Sequence, residues 1–112
     1  MNEKIYIING EKIIESQAHI SINDYGLMRG YAVFETIRFD NRIARNLDNH
    51  ISRLIKATTF IRINSKIINS ESITENVKEI ININKLKSGL IKIIITKGNM
   101  ENTNQLNVSP NI

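Results

Sequence analysis

The sequence contains no cysteine and only two histidines among its 112 residues. Disulfide bonds and thiolate metal sites are therefore excluded, and we do not expect a dedicated transition-metal site. Aromatic residues make up 5% of the chain and tryptophan is absent. The sequence consequently lacks the mixture of basic and aromatic residues that stacks nucleic-acid bases. These absences argue against a disulfide-stapled secreted module and against a nucleic-acid-binding surface.

Charged and apolar residues are both distributed along the whole chain. The 15 basic and 11 acidic residues give a net charge of +4 without forming a basic block, as is typical of a solvated surface. The apolar stretches near the N-terminus are interrupted by polar residues, so neither a secretion signal nor a membrane span is predicted. With 41% hydrophobic residues, the chain can form the core of one domain. We expect a soluble, cytoplasmic protein that binds neither membranes nor nucleic acid.

The first half of the chain predicts two β-hairpins separated by a loop. Asn9-Gly10 lies between two apolar runs, as in hairpins whose turn needs positive φ at both residues. Residues 23–30 contain two glycines and are predicted to form a loop. Residues 32–39 alternate in a two-residue period that places Glu35 on the same face as three apolar side chains. A tight turn at Asp40-Asn41 is predicted to lead into the next strand.

The second half predicts two helices and one strand. A helix over residues 47–59 is predicted from the helical spacing of its apolar residues, with Asn46 as its N-cap. Ser72 and Glu75 have the spacing of a capping box and predict a second helix that ends before Asn84. Residues 90–96 are almost continuously apolar and predict a strand buried on both faces. The fold class that follows is α+β, a mostly antiparallel sheet with two helices packed on one face.

Two regions of the sequence contain candidate functional residues. Arg29 lies between two glycines directly before the predicted strand, where a guanidinium can offer a planar fork to a carboxylate. The glycines are equally consistent with a loop that only needs sharp turns. His50 and Arg53 are three residues apart on one helix face. They are consistent with a phosphate site and also with a solvated arginine beside a locally packed histidine.

Together these regions resemble the N-terminal domain of the fold-type-IV pyridoxal-phosphate enzymes. That family includes branched-chain aminotransferases, D-amino-acid aminotransferases and aminodeoxychorismate lyase. Its pattern is an Asp-x-Gly loop, a further glycine, a Val-Phe-Glu-x-Ile-Arg strand, a helix with His-x-x-Arg-Leu, and a strand that ends in Thr-Arg-Gly. The matching residues here are Asp24, Gly26, Gly30, the run from Val33 to Arg38, the run from His50 to Leu54, and Thr96-Lys97-Gly98.

The resemblance implies pyridoxal 5′-phosphate as cofactor, with Arg53 binding its phosphate group. It also implies that Arg29 and Leu27 reach the substrate pocket of the neighbouring subunit in a dimer, with Arg29 holding the carboxylate of an amino acid. Arg38 and Lys97 are expected at the edge of that pocket. The resemblance places the Schiff-base lysine in a C-terminal domain, so we expect no catalytic residue in this chain. From its composition we expect no metal ligand either.

The implied domain organisation is an N-terminal domain over residues 1–98 and a loop or interdomain linker over residues 99–112. The expected function is that of a branched-chain or D-amino-acid aminotransferase, which moves an amino group between a small amino acid and a 2-oxo acid and works as a homodimer. We expect the 112-residue chain alone to be inactive, because the catalytic-lysine domain is absent from it. The alternatives are a lyase of the aminodeoxychorismate type and a catalytically silent binding or dimerisation module.

Overall fold

The computed structural model describes residues 3–63 and 68–99, which form an α+β domain with two antiparallel sheets and three α-helices. A short 3₁₀ helix, Glu15–Gln17, follows the first hairpin. The strands are β1 (Ile5–Ile8), β2 (Glu11–Ile14), β3 (Ala32–Asp40), β4 (Ile43–Ala44) and β5 (Gly89–Thr96), and the helices are α1 (Tyr25–Arg29), α2 (Leu47–Phe60) and α3 (Ser70–Ile83).

The predicted antiparallel architecture is confirmed, but the strands form two sheets. β1 pairs with β2, and a separate sheet has the order β4-β3-β5. The side-chain amide of Asn84, just after α3, bonds both the backbone nitrogen and the backbone oxygen of Ile5. This contact ties the small sheet to the helical layer. Asn41 and Arg42 have positive φ at the β3–β4 turn, one residue later than predicted.

The core lies between one face of the β3–β5 pair and the two long helices. In this register Ile37 lies opposite Ile91 and Val33 opposite Ile95, so their side chains share a face. α2 packs on β3 and against α3. Burial of each isoleucine or leucine contributes roughly 1.5–3 kcal/mol. The most deeply buried apolar residues are Ile37, Phe39, Ile51, Leu54, Ile63, Ile73, Val77, Ile81 and Ile95.

Three further local predictions, besides the position of the β3–β4 turn, are wrong, and the predicted capping side chain of Asn46 makes no hydrogen bond to α2. β5 is buried on only one face, because its outer face is uncovered and leaves Leu90 71% exposed. Residues 23–30, predicted as a loop, contain α1. α3 is capped by Asn69, whose side chain accepts a hydrogen bond from the backbone N–H of Ser72, so Ser72 is not the N-cap. Asn69 precedes the helix in extended conformation, which is the geometry that a capping side chain needs.

The predicted linker over residues 99–112 lies outside the described residues except for Asn99, which forms an isolated antiparallel bridge with Asp24. Among the described residues, no helix is long and apolar enough to cross a membrane.

Candidate functional site

A carboxylate stands on the core face of β3. The side chain of Glu35 is 11% exposed and lies between Val33 and Ile37 on the face that packs against α2. Burying an ionised carboxylate destabilises the fold unless hydrogen bonds and an opposite charge compensate. Glu35 therefore needs partners, and two side chains of α2 supply them.

His50 and Arg53 both bond the carboxylate of Glu35. Nδ1 of His50 lies 2.7 Å from Oε1, and since a carboxylate oxygen only accepts, His50 carries a proton on Nδ1. Arg53 donates from Nη2 to Oε1 at 2.7 Å and from Nε to Oε2 at 2.9 Å. This two-point contact is the fork geometry that arginine forms with carboxylates. The sequence had left open whether Glu35 has a partner, and the structure provides two.

The hydrogen bond from Arg53 is the main cause that holds the pKa of Glu35 below its ordinary value. Burial opposes this effect, and the hydrogen bond from His50 adds to it. The pKa of Arg53 is raised by its hydrogen bond to Glu35, so the guanidinium is charged at every physiological pH. The pair thus consists of an ionised carboxylate and a charged guanidinium.

Arg53 keeps a free donor edge. Its contact with Glu35 uses two of the five guanidinium N–H groups, which leaves three. Within residues 3–63 and 68–99, Arg53 makes no other side-chain hydrogen bond, and its side chain is 69% exposed. A guanidinium with a free planar edge and a permanent charge suits a phosphate group. The donor set at this position therefore fits the phosphate of the implied cofactor.

A second buried carboxylate fixes α1 against the end of β5. Asp24 is fully buried; its Oδ1 caps α1 by accepting from the N–H of Gly26 at 2.7 Å, and its Oδ2 accepts from the hydroxyl of Thr96 at 2.9 Å. The backbone N–H of Tyr25 also bonds the carbonyl of Gly98. A Cβ at Gly26 would lie 2.7 Å from the methyl group of Thr96, so this close approach requires glycine.

Leu27 and Arg29 are carried by this anchored helix and point away from the core. Leu27 is 66% exposed and Arg29 is also exposed. α1 ends at Arg29. The next residue, Gly30, has a φ of 65° and lets the chain turn directly into β3. The arrangement presents both predicted substrate residues at the end of the sheet where β3 begins. Nothing in the sequence pattern indicated the Asp24–Thr96 contact, because those residues are far apart along the chain.

Lys97 lies at the same end of the sheet as α1. Its backbone N–H bonds the carbonyl of Tyr31, its ammonium bonds the carbonyl of Arg62 at 3.1 Å, and it lies 5.8 Å from the centre of the Tyr31 ring. The hydroxyl of Tyr31 in turn donates to the carbonyl of Ile61. These contacts connect the start of β3 to the segment that follows α2.

Arg38 lies elsewhere. It points to the outer face of β3, opposite to Glu35, and its Nε is 3.6 Å from Asp40. At about 3.3 Å per residue, Arg38 is roughly 20 Å along the strand from the end that carries Arg29. The structure therefore brings Arg29, Leu27 and Lys97 to one end of the sheet, but it does not place Arg38 with them.

A cavity of about 720 Å³ lies between β1, α3 and β5. Its walls are largely apolar, and none of the five predicted site residues lines it. The described residues contain no group of three or more His, Cys, Asp or Glu side chains that could hold a metal ion.

Comparison with known proteins gives a family match and a fold match. The model of the amino-transferase class IV family matches residues 32–111. A putative branched-chain-amino-acid aminotransferase of Methanocaldococcus jannaschii is 34% identical over 95 residues, which are 85% of this chain and 32% of that protein. A D-alanine aminotransferase of Bacillus licheniformis is 33% identical over 92 residues, 82% of this chain and 32% of that protein. The chain thus spans about a third of the length of the curated relatives it matches.

Solved structures have the same fold. The branched-chain amino acid aminotransferase of Escherichia coli superposes with a TM-score of 0.85 and is 22% identical. The match covers 98% of this chain and 39% of that one. Another branched-chain amino acid aminotransferase of this fold, with a TM-score of 0.83, was solved with pyridoxamine 5′-phosphate. The fold of this chain is therefore the fold of one part of that longer Escherichia coli protein.

Proposed function

Because the chain belongs to the class IV aminotransferase family, we propose that it forms the N-terminal part of a pyridoxal 5′-phosphate-dependent aminotransferase. The observation that carries the proposal is the guanidinium of Arg53, which Glu35 holds at two points while its outer edge stays free. A phosphate monoester carries about −1.5 to −2 charges at neutral pH and accepts several hydrogen bonds. Arg53 would bind this group directly.

Three of the remaining predicted site residues have a proposed role in binding. Arg29 would hold the carboxylate of the amino acid, with Leu27 against its side chain, because α1 presents both residues from an anchored position. Lys97, at the same end of the sheet, would line the edge of the pocket. Arg38 was predicted there as well, but its place on the outer face gives that role no support. We assign no catalytic residue and no metal to this chain.

The cofactor, when bound, supplies the electron-withdrawing ring that makes amino-group transfer possible. This chain's residues contribute binding and orientation. Arg53 would fix one end of the cofactor, and Arg29 of the neighbouring subunit would fix the carboxylate of the substrate, so that the reacting atoms are held in one geometry. The lysine that reacts with the cofactor is expected in a further domain.

The proposed substrates are a branched-chain or D-amino acid and a 2-oxo acid. The named relatives support both classes, since one is a putative branched-chain enzyme and the other a D-alanine enzyme. We propose a homodimer in which α1 faces the neighbouring pocket, since its apolar residues are exposed. A cytoplasmic location belongs to the same proposal.

The direct test is a donor screen on the longest protein that the gene encodes. The protein is supplied with pyridoxal 5′-phosphate, a 2-oxo acid acceptor and either L-leucine or D-alanine, and the new amino acid is measured by mass spectrometry. Transfer from one donor class supports the proposal and selects the substrate. Conversion of aminodeoxychorismate without transfer would favour the lyase, and cofactor binding without any reaction would favour the silent module.

A further inference from the structure

We propose that Glu35 is a positioning residue of the phosphate site, which holds the guanidinium of Arg53 in one orientation so that its free edge meets the anion. The inference rests on the proposed function. Glu35 does not touch the phosphate in this proposal and acts only through Arg53. It is the partly buried member of the cluster, while Arg53 lies mostly in solvent.

The contact with Glu35 restricts the side chain of Arg53. A long side chain that is 69% exposed samples many rotamers, and it loses that freedom when it binds an anion. The two bonds from Nε and Nη2 to Glu35 remove this freedom before the anion arrives. Preorganisation of this kind increases affinity without any new contact to the ligand.

The carboxylate of Glu35 lies among apolar residues of the sheet. The neighbours of Glu35 on its face of β3 are Val33 and Ile37, and its partner across the sheet is Ile93. An apolar side chain would pack at this position without the cost of burying a charge. His50 donates to Oε1 from one turn before Arg53 on α2, so the carboxylate is fixed as well. The bond from His50 thus restricts the carboxylate of Glu35, which in turn restricts the guanidinium of Arg53.

Glu35 lowers the positive charge of the cluster formed by Glu35, His50 and Arg53. Glu35 neutralises Arg53, and the net charge of the cluster is zero with neutral His50 and +1 with protonated His50. For attraction of an anion alone, the carboxylate is unfavourable. Its benefit must therefore be orientation. The two effects make opposite predictions for Glu35→Gln, which adds one positive charge to the site and removes the ionic hold on the guanidinium.

The test compares the affinities of the full protein for pyridoxal 5′-phosphate and for pyridoxal, which lacks the phosphate. The dissociation constant of pyridoxal divided by that of pyridoxal 5′-phosphate reports only the phosphate contact. Partial unfolding would weaken the binding of both ligands equally and leave this ratio unchanged. We expect Glu35→Gln to reduce this ratio by about tenfold, as for the loss of one oriented charge-assisted hydrogen bond. Binding of pyridoxal should be unchanged.

The matched control is Asp40→Asn. Asp40 is a second carboxylate of β3 that contacts an arginine, with Arg45 Nε at 2.8 Å, and it lies roughly 16 Å along the strand from Glu35. That distance exceeds the screening length of about 8 Å, so the ratio should stay within about twofold of the wild type. Glu35→Met serves as a second variant, since an unbranched apolar chain suits the strand face, and it should lower the ratio as well.

Each outcome has a distinct meaning. A wild-type protein that does not prefer the phosphorylated ligand would overturn the proposed phosphate site itself. A wild-type preference that Glu35→Gln leaves unchanged or increases would overturn the positioning role and leave the phosphate site standing. Equal weakening of both ligands would assign Glu35 a structural role only. A selective loss in both Glu35 variants but not in Asp40→Asn would establish the positioning role.

Discussion

Replacing Thr96 by valine removes one hydroxyl group from the buried contact between α1 and β5. The hydroxyl donates to Asp24 Oδ2 at 2.9 Å and accepts from the backbone N–H of Gly98 at 3.1 Å. Valine has nearly the same shape, so packing against Gly26 is kept while both hydrogen bonds are lost. The substitution thus isolates the polar part of the contact that anchors the helix carrying Leu27 and Arg29.

The expected loss of stability is about 3 kcal/mol. A hydrogen bond to a charged group contributes about 1.5–3 kcal/mol, and a buried donor left without a partner costs about 1–3 kcal/mol. Asp24 is fully buried and Gly98 is buried, so water cannot easily replace the hydroxyl. For a domain of this size, such a loss lowers the melting temperature by about 10–20 °C.

Urea denaturation followed by circular dichroism measures the change. The matched control is Thr36→Val, which alters an exposed threonine on the outer face of β3 and should change the free energy of unfolding by less than about 0.5 kcal/mol. If Thr96→Val also changes stability by less than about 0.5 kcal/mol, the hydroxyl does not satisfy a buried carboxylate. The anchoring of α1 by the hydrogen bond between Thr96 and Asp24 would then be refuted.

Two further predictions concern Glu35 and the start of α3. Because the folded state lowers the pKa of Glu35, this residue stabilises the protein above its unfolded pKa of about 4.3, and the stabilisation is lost as the pH falls through the folded pKa. Between about pH 7 and about pH 3, the free energy of unfolding should therefore fall further in the wild type than in Glu35→Gln; equal slopes would contradict this. Asn69→Ala should cost about 1 kcal/mol by thermal denaturation because it removes the N-cap of α3. Ser72→Ala should cost less, and the reverse order would restore Ser72 as the cap.

Patterns with a strong period predicted their elements well. The alternation of residues 32–39 predicted β3 and placed Glu35 on the face of Ile37, where the structure has it. The helical spacing of apolar residues predicted α2 from Leu47, with Asn46 as the residue before it. Asn46 makes no side-chain capping bond, however, and has a positive φ of 52°. Periodicity reports which side of an element is buried, and that is sufficient to locate a strand or a helix.

Contacts between distant residues were not accessible from the sequence. Asp24 and Thr96 are 72 positions apart, and Ile5 and Asn84 are 79 positions apart. α1 depends on the first of these contacts, and its five residues are too few to form a helix without tertiary support. The apolar run of β5 predicted burial on both faces, but composition alone does not tell whether a second layer covers the outer face.

The phosphate contact of Arg53 is the central claim. The dissociation constant of pyridoxal divided by that of pyridoxal 5′-phosphate tests it most directly. Arg53→Ala is best combined with Glu35→Gln, so that no half-buried carboxylate is left without its partner. We predict that the wild type prefers the phosphorylated ligand by at least about 100-fold, as for two charge-assisted hydrogen bonds of about 1.5–3 kcal/mol each, and that the double variant loses this preference. A double variant that keeps the full preference would show that the phosphate binds elsewhere and would contradict the account.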